Sequence, residues 1–182
     1  MKGLVHIIMA AICLIAVSCG NKQLETTYEK QESNIQTIAE SLAKANSEAT
    51  VEYNDGSVRV TVAHGEGEAL KEGGAVSFYF AGLYISGSRL SNNNIFATNY
   101  DTFANSIKWN VTDSSAFKIL TVNLAEDDVV EGLRNGLIGV KGGDECYVMF
   151  SGKHGFKKNK VANVPIGAAL AYHLWIKSVS NN

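Results

Sequence analysis

The sequence predicts an α+β domain: an antiparallel β-sheet wrapped around one short helix, preceded by an N-terminal amphipathic helix. Three observations carry this. Val58, Val60 and Val62 alternate with Arg59 and Thr61, Val76, Phe78 and Phe80 with Ser77 and Tyr79, Cys146, Val148 and Phe150 with Tyr147 and Met149, and Leu170, Tyr172, Leu174 and Ile176 with Ala171, His173 and Trp175, the period-two pattern of strands. Strands outnumber helices, and the one helical spacing of the globular part falls late, among them. Upstream of all the strands, a stripe of apolar residues at steps near three and four marks a separate helix.

Taken in order, the chain opens on Lys2 and an apolar run from Leu4 to Val17, too short to span a bilayer comfortably. The run ends at Ala16-Val17-Ser18-Cys19-Gly20, which resembles a bacterial lipoprotein signal with Cys19 as the acylated mature N-terminus, although Ala16 stands where Leu is commoner. The other readings are a cleaved secretory peptide and an uncleaved anchor. Asn21, where inner-membrane retention would favour Asp, points to the outer membrane of the cell envelope. Residues 20–27 read as a polar tether. Tyr28, Ile35, Ile38, Leu42, Ala45 and Ala49 then form a narrow amphipathic stripe, too thin for an independent coiled coil, and expected to lie on the globular domain or prop it away from a membrane. Asn54-Asp55-Gly56 is a turn.

The expected domain boundaries are 1–18 for the signal, 19–56 for tether and helix, and 57–182 for the globular domain, with an insertion at about 87–115. Phe117–Val122 is a further candidate strand. Glu126–Val140 is read as the short helix, from Val129, Val130, Leu133 and Leu137 at helical spacing, acids at its start and Gly142-Gly143 beyond its end. Tyr147, Met149 and Trp175 make the opposite sheet face unusually apolar, so the 28–49 helix is expected to cover it; scattered surface aromatics are the alternative.

At 182 residues with 46% hydrophobic and 19% charged side chains, the chain suits one globular domain plus a tail. Net charge is −2, and removal of residues 1–18 deletes one Lys and no acid, leaving 15 − 18 = −3. No basic run supports nucleic-acid binding. Of the three cysteines, Cys13 falls in the signal and Cys19 at the anchor, leaving Cys146 as a buried thiol without an intramolecular partner.

The last third, VVEGLRNGLIGVKGGDECYVMFSGKHGF followed by NVPIGAALAYHLWIKSV, resembles the FKBP family of peptidyl-prolyl cis–trans isomerases. GEGEALKEGGAVSFYFAG resembles the family's opening, an acidic Gly-rich turn leading into a strand. The resemblance covers roughly Ser57 to Val179, with two insertions. It implies an FKBP-like sheet closing over one short helix, and a pocket for the proline ring of a polypeptide.

Carried over residue by residue, the resemblance implies pocket roles for ten positions. Phe80 stands for a lining Tyr, and Phe96 for the Phe of a Phe-Asp pair whose Asp is Ala97 here. Phe117 and Ile119 stand for a Phe-x-Phe wall, Val129 and Val130 for a Val-Ile pair whose second N–H meets the ligand carbonyl, and Leu133 for the pocket floor. Phe156 stands for a hydrogen-bonding loop Tyr, Val164 for the apolar residue before the Ile-Pro-like segment, and Tyr172 for the aromatic of the last strand. The apolar shape is kept while three polar handles, at Ala97, Phe80 and Phe156, are missing. Within the insertion, Trp109 between Ile107 and Val111 suggests an extra hairpin near the pocket mouth.

Prolyl isomerisation needs no nucleophile, metal or cofactor, so none is expected. The alternatives are a catalytically silent peptide- or protein-binding module, and a complex-forming lipoprotein whose pocket is filled. The expected partners are proline-containing polypeptides and, through Cys19, a membrane. GLIGVKGG lacks the phosphate-loop spacing, His6, His64, His154 and His173 show no ligand spacing, and Asn110-Val111-Thr112 is a chance sequon.

Overall fold

A computed structural model of the chain describes residues 2–109 and 116–181, with side chains from residue 23 onward. The chain divides into two units, Met1–Lys30 and Gln31–Asn182. Helix α1 runs Lys2–Ala45, so the first unit is helical and the expected tether at 20–27 is part of α1. Neither Gly nor Pro interrupts 21–45, and Lys22, Gln23, Leu24 and Glu25 are strong helix formers. The expected lipidation site Cys19 and the signal before it lie outside the residues whose side chains are described.

In the second unit α1 ends at Ala45, short of the expected Ala49. There the Asn46 side chain turns the chain, donating to the Val62 carbonyl and accepting from Glu48 N–H. Among the described residues seven strands follow: β1 Thr50–Asn54, β2 Ser57–Ala63, β3 Ala75–Ile85, β4 Ile95–Thr98, β5 Leu120–Asn123, β6 Glu145–Phe150 and β7 Ala169–Ser180. Two short α-helices lie between them, α2 Asp101–Ser106 and α3 Glu131–Leu137, with a 3-10 turn at Asn92–Asn94. All pairings are antiparallel, in the order β1-β2-β6-β7-β3-β4, with β5 also paired to β3. The α+β class is the predicted one. Asp55 and Gly56, both at positive φ (40° and 80°), form the two-residue turn that joins β1 to β2 in register.

Helix α3 is shorter than the predicted 126–140. Asn123 Oδ1 accepts from Ala125 N–H and Asp127 Oδ2 from Asn123 N–H, and such local side-chain bonds replace the first helical turn. At the other end Gly139 takes φ +92° and donates to the Leu70 carbonyl instead of continuing the helix. The helix packs against β6 through Gly132 and Gly136; a Cβ there would run into the Phe150 ring and Val148. Its carbonyls are held from β2: Ser57 Oγ donates to Gly132, and buried Arg59 to Gly136 and Ile138.

The sheet is apolar on both faces. Towards α3 lie Val76, Phe78, Cys146, Val148, Phe150, Leu170, Tyr172 and Leu174. On the other face Ile35, Ile38 and Ala39 of α1 are buried against Val60, Met149, Ala169 and Ala171, with Tyr147 at the margin. The expected helix cover is therefore present over Met149 and Tyr147, but Trp175 has a different one. Tyr100 and Phe103, at the start of α2, pack on it with ring centroids 4.6 and 5.6 Å away. The expected hairpin around Trp109 is not formed on its N-terminal side: Ile107 caps α2 and Trp109 N–H donates to the Ala104 carbonyl. Val111 and the sequon lie outside the described residues.

Between β6 and β7 the chain forms a flap loop, 151–168. Glu131, the first residue of α3, anchors it: one carboxylate oxygen meets His154 Nδ1 at 2.7 Å and the other accepts from Lys157 Nζ at 3.1 Å. The His154 hydrogen bond, then that of Lys157, holds the Glu131 carboxyl below its ordinary range. Because the folded value is depressed, this contribution is present above the unfolded carboxylate pKa and disappears as pH falls through the folded one. Glu131→Gln is expected to lower the urea midpoint slightly at about pH 6, by less than about 1 kcal/mol in stability, and by less than that at about pH 3. Equal differences at both pH values would refute the ionic anchor. Ile38, 3% exposed, is expected to cost about 2–5 kcal/mol when cut to Ala, read from denaturant unfolding of the whole chain; a change below about 0.5 kcal/mol would mean α1 is not docked.

Candidate functional site

The site begins with an interruption at one edge of β3. β5 pairs with Ala75–Phe78 and β4 with Ala81–Leu83, leaving Tyr79 and Phe80 without a strand partner on that side. Asn99, 6% exposed, fills the gap. Its Oδ1 accepts from Phe80 N–H at 2.6 Å, and its Nδ2 donates to the Lys118 carbonyl at 2.9 Å. One buried amide thus satisfies the backbone where the sheet parts.

β4 contributes through a bulge. Gly82 pairs with Ala97 and Leu83 with Ile95, so Phe96 is the extra residue, and its ring lies over Gly82 where no Cβ would fit. Adjacent residues of a regular strand face opposite ways; the bulge lets Phe96 and Ala97 both reach the same space. Across the sheet Tyr172 pairs with Gly82 and meets the Phe96 ring edge-on at 5.9 Å.

The result is a cavity of about 470 Å³, within the range of small-ligand sites. Phe78 and Phe80 of β3, Phe96 and Ala97, Leu133 of α3 and Tyr172 line it. Leu120, Thr121 and Val122 close one side, and Asp127 to Val130 the approach to α3. Val130 N–H makes no hydrogen bond among the described residues and so remains available as a donor at the wall. Tyr172 carries the only hydroxyl among the described aromatic rings of the lining. It is 6% exposed, burial pushes its phenol up beyond the usual tyrosine range, and no described residue bonds its hydroxyl.

Of the ten residues expected to form a pocket, Phe80, Phe96, Val129, Val130, Leu133 and Tyr172 come together around this cavity. Phe156 is one ring further out, stacked edge-on against Phe96 at 5.7 Å. Val164 is buried in the main core rather than in the described lining. Phe117 and Ile119 are also absent from the described lining, and Ile119 is 44% exposed. The expected strand at 117–122 starts only at Leu120, because Asn99 and β4 occupy the β3 edge beyond Phe78. Leu120 and Val122 supply that wall instead.

Sequence reasoning missed Phe78, although its alternation with Phe80 places both on one strand face. It also missed Asp127 and Asp128, assigned above to a first helical turn that is not helical. Cys146 is fully buried beneath the sheet, where desolvation pushes its thiol up to about 12; it faces the core and takes no part in the lining.

No protein-family model matches the sequence, and no curated protein matches it by sequence. Solved structures do resemble the fold. The three FKBP domains of wheat FKBP73 match with a TM-score of 0.57 and 18% identity over 74% of this chain, which spans about half (52%) of that one. FkpA from Escherichia coli matches with a TM-score of 0.56 and 21% identity over 97% of this chain and 71% of its own. A peptidyl-prolyl cis-trans isomerase from Pseudomonas syringae gives a TM-score of 0.54 and 14% identity over 85% of this chain and 96% of its own. An antiparallel sheet wrapped on α3, with an apolar cavity between them, is in this chain an FKBP-like fold.

Proposed function

We propose that the chain is a peptidyl-prolyl cis–trans isomerase acting on X-Pro segments of polypeptides at the aromatic cavity. The observation that carries this reading is the enclosure of about 470 Å³ by Phe78, Phe80, Phe96, Leu133 and Tyr172 in an FKBP-like fold. Rotation about a peptide bond breaks its resonance and meets a barrier of about 18–20 kcal/mol. The trans preference of X-Pro bonds is only about 0.5–1 kcal/mol, so both isomers are populated and the barrier limits their exchange. Water favours the planar, charge-separated form by solvating the carbonyl oxygen. Aromatic rings that hold the proline and exclude water remove that support from the ground state. A donor such as Val130 N–H, aimed at the carbonyl as it turns, stabilises the twisted form selectively.

Polar groups in the cavity are few, and their positions differ from those the family resemblance implies. Ala97, Phe80 and Phe156 bring no carboxylate or hydroxyl, whereas Tyr172 brings a hydroxyl from β7. In this reading Tyr172 orients the bound peptide. The same substitutions support a second reading, a weakly active or inactive module that binds proline-containing chains without turning them over.

A protease-coupled assay with short X-Pro peptides separates the two. Wild-type protein is expected to accelerate isomerisation, Phe96→Ala to lower kcat/KM by about 10- to 100-fold, and Tyr172→Phe by about fivefold. Binding without acceleration would select the second reading, and neither binding nor acceleration would remove both.

We further propose that Cys19 is acylated and holds the domain at the cell envelope, on the outer membrane, where it assists folding of exported proteins. Support comes from Ala16-Val17-Ser18-Cys19-Gly20 behind an apolar run, since several acyl chains on one residue give firm anchoring. Labelled palmitate is expected to enter the protein in a bacterial host and to be absent from Cys19→Ala; label retained by that variant would refute the assignment.

A further inference from the structure

The flap loop leaves β6 at Ser151 and returns to β7 after Ala168, and its two ends nearly touch. Gly152 lies so close to the Gly167 carbonyl that a Cβ would clash with it. A single side chain from outside the loop joins both ends. Gln31 Oε1 accepts from Gly152 N–H at 2.8 Å, and Gln31 Nε2 donates to the Gly167 carbonyl at 2.8 Å. Gln31 lies more than a hundred residues away in sequence, on the face of α1 that carries Ile35 and Ile38 into the second apolar core.

Both polar ends of the amide are used, and each matches a backbone group that has no other partner among the described residues. Gly167 N–H is already committed to the Lys157 carbonyl, within the loop, so Gln31 completes the return. Glu32, the next residue, reaches Ser151 Oγ at 3.3 Å. The loop so closed carries Phe156, whose ring braces Phe96 of the cavity wall. Its far side is tied to α3 by His154 O accepting from Gly132 N–H, and by the Glu131 contacts described above.

We propose that Gln31 is a positioning residue of the cavity: through its amide, α1 fixes the base of the flap loop and thereby sets Phe156 against Phe96. The part of α1 from Gln31 onward is then part of the site, and whatever shifts that part also shifts the cavity wall. This rests on the cavity being the isomerase site of the preceding section. It adds that substrate affinity depends on a residue outside both the cavity and the loop.

The test uses the full chain with Gln31→Ala and Gln31→Glu, the latter keeping the acceptor for Gly152 N–H while losing the donor to Gly167. Gln31→Ala is expected to speed hydrogen exchange of flap amides about tenfold, with β3 and β7 amides unchanged. The NMR cross-peaks between the Phe96 and Phe156 rings are expected to weaken, and KM for a Leu-Pro peptide to rise several-fold with kcat nearly kept. Gln31→Glu should fall between Gln31→Ala and wild type. Unchanged flap exchange in Gln31→Ala, or faster exchange with ring contacts and KM unaltered, would overturn the proposal. A wild-type protein inactive on X-Pro peptides would instead count against the isomerase reading, and the exchange and ring contacts would still decide the clamp.

Discussion

A sheet apolar on both faces imposes the main constraint on this molecule. β3, β7 and β6 form its centre, and every second residue of each faces α3 while the intervening ones face away. Helix α3 has only seven residues, too few to close even one face. The remaining cover comes from elsewhere: α1 over Met149 and Ala171, Tyr100 and Phe103 over Trp175. The cavity is what is left where α3 begins and β4 parts from β5. Burial of the far face and hollowness of the near one are therefore two results of one shortage of helix. In the reverse arrangement, with a long α3, Leu133 and its neighbours would fill the space that Phe80, Phe96 and Tyr172 now enclose.

Polar groups at depth are spent on holding that short helix. β2 turns Val58, Val60 and Val62 towards α1, and so presents Ser57, Arg59 and Thr61 to the α3 side. Arg59 donates to two carbonyls at the end of α3 and also meets Glu52 of β1, so the buried charge is paired. Cations at a helix C-terminus are favourable, and the last carbonyls would otherwise lack partners. A register shift of one residue in β2 would place valines against those carbonyls and Arg59 against α1. Register, helix ends and the position of Leu133 are thus linked through one guanidinium.

Much of this was legible in the sequence, for reasons that differ by element. β2 was legible from alternation, Val58, Val60 and Val62 against Ser57, Arg59 and Thr61, whereas β3, β6 and β7 were legible as short, nearly unbroken apolar runs because both their faces are covered. The Asp55-Gly56 turn was legible because its backbone requires residues that tolerate positive φ. β4 was hidden: at Ile95–Thr98 it is four residues long and carries a bulge, which removes the alternation that identifies a strand. The same bulge explains how neighbours Phe96 and Ala97 share the lining. β5 was placed three residues early because the signal for its start is tertiary, the occupation of the β3 edge by Asn99. The over-long reading of α3 has a similar origin. Val129 and Val130 have helical spacing with Leu133, but Asn123 and Asp127 take the local hydrogen bonds and leave that stretch extended.

The polar chemistry of the cavity follows from these same displacements. At the positions where the FKBP resemblance implies polar handles, Phe80 and Phe156 have no hydroxyl and Ala97 has no carboxylate. In space, Tyr172 lies between the rings of Phe80 and Phe96, at 6.0 and 5.9 Å, and carries a hydroxyl that no described residue satisfies. An unpaired phenol in an apolar wall is costly unless something polar reaches it. Facing an open cavity, that hydroxyl is within reach of a polar group of a bound ligand. The one hydroxyl among the described aromatic rings of the lining is therefore a feature of the cavity rather than of its packing. A Phe at this position would pack as well against Phe150, so packing alone gives no reason for the oxygen.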